Sequence, residues 1–228
     1  MQAIQGKVIN AVEENAVIDG TTILNTIYDN AGYRLSILSM SKGTFVAPER
    51  FRTPTLVRVL KGSLLIRTFS KENRREAVVN EGQIYFRPAK EFAGYYANDT
   101  NVILEEIVLR ADSETAMRVI PHSVLDLVHM VHYEPGMVSR SHLINDEMFQ
   151  LSMAAFSESE SKELVCKDQM VFVQCIEGQY VITHEDSKYV LHPGETFLIM
   201  PQYKCRAFAT SRTKIMTLHM TEETNKYL

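Results

Sequence analysis

The chain is predicted to be all-β, built from one small barrel-forming unit that occurs twice. Three observations carry this prediction. An internal repeat runs at a constant offset, short β-branched and aromatic runs alternate with glycine turns, and helical periodicity is weak throughout.

The repeat decides the architecture. Gly20 and Gly136 stand 116 residues apart, and so do Gly62 and Gly178. Between them the segments keep register: residues 33–40 (YRLSILSM) answer to 149–156 (FQLSMAAF), and 57–62 (VRVLKG) answer to 173–178 (VQCIEG). Beyond this the offset falls to 112, with Gly82 answering to Gly194, because one hairpin is shorter in the second copy. The copies are placed at residues 1–111 and 127–228, with 112–126 as the join. That join starts with cap-type residues and carries Pro121, which permits a helical turn but opposes one long helix.

Within each copy the runs read as strands. Thr55–Leu60 and Ser63–Arg67 flank Lys61-Gly62, and Val171–Ile176 and Gln179–Thr183 flank Glu177-Gly178, which is the pattern of a hairpin. Strands spaced by turn signals every ~8–12 residues imply a sandwich or closed barrel with few short helices.

Composition narrows the function. With 228 residues, 45% hydrophobic and 23% charged, the chain has enough material for two folded domains. A net charge of −4 offers no basic footprint, so neither nucleic acid nor a membrane surface is expected as partner. No run reaches the ~18 apolar residues of a membrane helix, and the first residues (MQAIQGKVINAVEEN) show no secretory pattern. Three cysteines are few and odd in number, which points to a reducing cytoplasm.

The contexts of Gly62 and Gly178 (VLKG, CIEG) and of Gly82 and Gly194 (NEGQIYFRP, HPGETFLIMP) resemble the two signature stretches of the cupin superfamily, G-x5-H-x-H-x3,4-E-x6-G and G-x5-P-x-G-x2-H-x3-N. The resemblance implies two tandem jelly-roll (double-stranded β-helix) barrels, a bicupin. Counting back from the glycines places the cupin glutamate at Thr55 and Val171. The histidine pair falls near Glu49 and Phe51 in the first copy, and near Val165 and Lys167, or one residue earlier with Cys166, in the second. The last histidine falls near Ala93, and at Cys205 or Arg206. None of these positions holds a histidine, so the resemblance implies no metal in either barrel and no cofactor.

Other groups remain as candidates. The seven histidines lie in or just before the second half with no partner at a barrel-ligand spacing, and are expected on strand faces. Alternation puts Cys175 inward with Val171 and Val173, and Cys166 and Cys205 adjoin former ligand positions. Three thiols could converge there, favouring zinc or Cu(I) or a redox thiol, or each could be a small core residue. Arg50, Arg52, Arg58, Arg67 and Arg87 in the first copy, and Lys167, Asp168 and Arg206 in the second, could receive a carboxylate or phosphate or remain solvated. Alternation sets Arg58 on the face opposite Thr55, at a surface or interface.

Two functional expectations follow. One is a metal-free bicupin, monomeric or homodimeric, that binds a small and conceivably anionic molecule or serves a structural or regulatory role. The other is a cupin enzyme of isomerase, lyase or dioxygenase type with a non-standard site in the second barrel.

Overall fold

The computed structural model describes residues 6–29, 33–50, 52–70, 73–109, 121–145, 149–157, 161–165 and 169–221. Twenty strands dominate it. Strand β1 (Val8–Asn10) leads into a single turn of helix, α1 (Ala11–Glu14). Then follow β2 (Thr22–Asp29), β3 (Tyr33–Met40), β4 (Phe45–Arg50), β5 (Thr55–Lys61), β6 (Ser63–Phe69) and β7 (Arg74–Asn80). The first half closes with β8 (Gln83–Arg87), β9 (Phe92–Tyr96), β10 (Val102–Leu109) and β11 (Val124–Asp126). After a 3-10 turn at Leu127–His129 come β12 (Val138–Asn145), β13 (Phe149–Phe156), β14 (Ser161–Val165), β15 (Gln169–Glu177) and β16 (Tyr180–His184). The last strands are β17 (Ser187–Leu191), β18 (Glu195–Ile199), β19 (Lys204–Ala209) and β20 (Thr213–Thr221). No helix among the described residues is long and apolar enough to cross a membrane.

The strands form two compact units, each a six-stranded sheet facing a four-stranded one. In the first barrel the orders are β11-β8-β5-β10-β3-β2 and β4-β9-β6-β7. In the second they are β1-β18-β15-β20-β13-β12 and β14-β19-β16-β17. All pairings are antiparallel, and the two orders correspond strand by strand, as a duplication requires. Strand β6 shows the alternation that made it readable: Leu64, Ile66 and Thr68 are buried while their neighbours are partly exposed. Strand β10 is buried along its whole length, and its near-continuous apolar run, broken by Glu105 and Glu106, reflects cover on both faces.

The repeated glycines share one cause. Gly62 and Gly178 have φ of +87° and +80°, and a Cβ there would lie 2.2 and 2.1 Å from the carbonyl oxygens of Asn101 and Arg212. A hairpin that folds its backbone this close to a neighbouring loop admits no side chain.

The ends of the repeat differ from the sequence reading. Residues 6–10 belong to the compact unit of the second barrel, because β1 pairs with β18 (Val8 opposite Phe197). Residues 121–126 belong to the first, because β11 pairs with β8 (Val124 opposite Tyr85). Val8 and Val124 are themselves 116 residues apart. The repeat therefore starts within the expected join, and each copy donates its first strand to the other copy's sheet. Most of the join, residues 112–120, lies outside the described residues.

Deleting residues 1–10 leaves the β18 edge unpaired. Amide exchange at Glu195, Thr196 and Phe197 should then accelerate by roughly tenfold or more while Gln83–Tyr85 of β8 stay protected. Hydrogen-exchange mass spectrometry reads both peptides. Equal loss at the two sites would contradict the exchange of strands.

Candidate functional site

Inward-facing residues form rows across each six-stranded sheet, and equivalent rows can be compared. In the first barrel one row runs Arg87, Thr55, Val108, Arg34, and the next Tyr85, Val57, Glu106, Ser36, Thr26. In the second the same rows run Ile199, Val171, His219, Gln150, and then Phe197, Val173, Thr217, Ser152, His142. From the facing four-stranded sheets, Tyr95 stands opposite Ile66 and Ala207 stands opposite Ile182.

The first barrel fills this level with its own side chains. Arg87 is fully buried and donates from Nη2 to Thr55 Oγ1 at 2.5 Å, with its guanidinium 5.9 Å from the centre of the Tyr95 ring. The Tyr95 hydroxyl donates to Glu106 Oε1 at 2.8 Å, and Arg34 approaches the other carboxylate oxygen at 3.6 Å. Burial, then the adjacent Glu106 carboxylate, hold the Tyr95 phenol well above its usual pKa, so it stays a donor. A guanidinium withdrawn from water needs such partners to offset its desolvation. Thr55 and Ala93 are buried here, whereas Glu49 is exposed on β4 and Phe51 lies outside the described residues.

The second barrel leaves space. Where the first has Arg87 and Tyr95, it has the smaller Ile199 and Ala207, both packed in its core, and a cavity of about 230 Å³ lies at the β12–β13–β20 side. Arg140, His142, Gln150, Ser152, Thr217 and His219 supply polar walls, and Ala154, Phe156 and Ile215 apolar ones. His142 Nδ1 and Ser152 Oγ are hydrogen-bonded at 2.8 Å. Tyr180 also lines the cavity, 5.4 Å from Phe156 between ring centres, fully buried and with no hydrogen-bond partner for its hydroxyl among the described residues. Burial raises its pKa, aided by Cys205 and opposed by the charge of Arg140, so the group remains a phenol. An unsatisfied buried hydroxyl costs roughly 1–3 kcal/mol, which a ligand oxygen would recover.

The sequence-predicted residues of this barrel divide. Val171, Cys175 and Cys205 are buried in one core cluster. Cys175 occupies the position of Val59 in the first repeat, and burial pushes its thiol up to about 12, away from the thiolate form of a reactive cysteine. Arg206 is exposed between buried Cys205 and Ala207, hence on the outer face. Cys166 and Lys167 lie outside the described residues. The donor set does not fit a metal: the cupin ligand positions whose side chains can be described hold exposed Glu49, Thr55, Ala93, Val171, and Cys205 or exposed Arg206, and no three His, Cys, Asp or Glu side chains cluster among the described residues. Of the histidines expected at surfaces or on strand faces, exposed His142 and half-buried His219 line this cavity.

A family model for the cupin domain of mannose-6-phosphate isomerase matches residues 140–215, the stretch that holds most of this cavity. Among solved structures, a cupin 2 conserved barrel domain protein from Leptotrichia buccalis is 16% identical over 97% of this chain and 99% of its own, with a TM-score of 0.83. The chain has the cupin fold. Oxalate decarboxylase from Lactobacillus farciminis aligns with 97% of the chain and 88% of its own at 6% identity and TM-score 0.63. Tomato vicilin aligns with 85% of the chain and 76% of its own at 11% identity and TM-score 0.56. No curated protein matches the chain significantly.

One further pair of charges lies on the other face of the first cupin barrel. Arg58 stands directly across from Glu105. Both are buried, where the sequence had placed Arg58 at a surface or interface. Desolvation raises the Glu105 carboxyl to about 7, partly opposed by Arg58, and the same desolvation lowers Arg58. Folded Glu105 therefore keeps its proton longer than unfolded Glu105, whose pKa is near 4.5. Stability from this group is full below about pH 4.5 and declines as pH rises towards 7. Replacing the pair together, Arg58→Met with Glu105→Leu, avoids stranding either charge. It should flatten the fall in urea-unfolding free energy between pH 5 and 7, a difference of roughly 1–3 kcal/mol. An unchanged slope would assign the pH dependence elsewhere.

Proposed function

We propose that this bicupin is a small-molecule-binding protein whose site is the interior of the second barrel, held without a resident metal, while the first barrel is its structural counterpart. The observation that carries this reading is the difference at two equivalent positions. Arg87 and Tyr95 are buried in the first interior, and the second, with the smaller Ile199 and Ala207 at those positions, has a cavity walled by convergent polar groups. Mostly apolar pockets with a few placed polar groups are the usual form of small-molecule sites. At about 230 Å³ the cavity falls below the ~300–1,000 Å³ of drug-sized sites, so its occupant is a compact metabolite rather than a nucleotide. The matched mannose-6-phosphate isomerase family supports sugar derivatives as a first panel. Two buried cysteine thiols, Cys175 and Cys205, agree with action in the cytoplasm.

Installing the residue of the first repeat tests this. The Tyr95 hydroxyl reaches Glu106, whose counterpart Thr217 lines the cavity, so Ala207→Tyr should project a ring into it. In a thermal-shift screen of polyols, sugar acids and sugar phosphates, ligands that raise the Tm of the wild type should lose their effect on Ala207→Tyr. They should keep it on Ala93→Ser in the first barrel. Ligands that stabilise Ala207→Tyr as well as the wild type would move the site away from this cavity.

A further inference from the structure

We infer that the ligand of the second barrel is a small oxyanion, a carboxylate or phosphate ester bearing hydroxyl groups, with its charged end at Arg140 and the Tyr180 hydroxyl. The inference rests on the proposed binding role of that barrel and adds the chemical class of the occupant. Three features of the cavity converge on it. First, no carboxylate lines its wall among the described residues: where the first barrel has Glu106 the second has Thr217. Second, a cation has been added. Arg140 stands where the first repeat has Leu24, and it has no ion-pair partner among the described residues. Third, Tyr180 is buried, lines the cavity together with Arg140, and has no acceptor for its hydroxyl among the described residues.

An oxyanion satisfies these together. The guanidinium donates a fork of parallel hydrogen bonds to two of its oxygens, and the phenol donates a third. Along the cavity, Ser152, Thr217 and Gln150 are neutral donors and acceptors suited to hydroxyl groups on the same ligand. Arg140 is exposed, so its charge is solvated without a ligand; a neutral polyol gains nothing from that charge, and a cation is repelled by it.

A matched series separates charge from chain. Sorbitol, gluconate and glucitol 6-phosphate share one polyol skeleton and differ in the group at one end. Isothermal titration of the full-length protein should detect gluconate or glucitol 6-phosphate at least roughly tenfold tighter than sorbitol. The preferred one of the two tells whether the oxyanion is carboxylate or phosphate. Arg140→Gln should remove that preference, as should Thr217→Glu, which restores the acid of the first repeat, and Tyr180→Phe should weaken the anion roughly three- to tenfold. Near-UV circular dichroism confirms that each variant is folded. Equal affinity for sorbitol and the anions, or an anion preference that survives both Arg140→Gln and Thr217→Glu, overturns the oxyanion assignment and leaves the cavity as a binding site. Binding of none of the three, with other ligands still lost on Ala207→Tyr, likewise overturns only the assignment. Failure of every ligand in both experiments removes the binding role itself.

Discussion

The interior of a small barrel is just wide enough for the side chains that point into it, and the rest of this structure depends on how that volume is spent. In the first repeat a guanidinium and a phenol occupy it. Arg87 is tied to Thr55 and lies over Tyr95, and Tyr95 is tied to Glu106. The second repeat keeps the same backbone rows but substitutes Ile199 and Ala207. The second also has a cavity whose polar walls lie beside Tyr180, a residue with no hydrogen-bond partner for its hydroxyl among the described residues. One duplicated frame thus carries two different interiors.

What the repeats hold in common is backbone geometry. The positive φ of Gly62 and Gly178 and the close carbonyl behind each are the same constraint met twice. The exchanged first strands, Val8–Asn10 and Val124–Asp126, repeat as well. The inner rows are where the copies part: Thr26 against His142, Arg34 against Gln150, and Glu106 against Thr217. A scaffold fixed by turns and ladders can change its inner side chains without changing its topology, which is how one fold supports unrelated roles.

Much of the fold was legible because glycines and alternating strands carry strong local signals. The hairpins around Gly62 and Gly178 fall where the pattern placed them. The strand exchange was not legible, since three-residue strands such as Val8–Asn10 show too little alternation to declare a partner. The site was legible only in part. Counting from the glycines located Thr55 and Val171 in the barrel interiors, and Cys175 beside them. His142 and His219 were missed because their inward orientation depends on register across β12, β13 and β20, which alternation within one strand cannot supply. His142 also follows the strand's own irregularity, a register shift between His142 and Ile144. Arg87 stood among several candidate arginines, and only its row with Thr55 singles it out. Tyr180 lay in a recognised hairpin, but the absence of an acceptor for its hydroxyl is a fact of packing.

A crystal structure of the full chain soaked with gluconate and, separately, with glucitol 6-phosphate tests the central claim most directly. The account predicts ligand density in the second barrel beside Arg140 and Tyr180, with the Arg87–Thr55 hydrogen bond of the first barrel intact. Ligand density in the first barrel with that bond broken, or only water in the second, would contradict it.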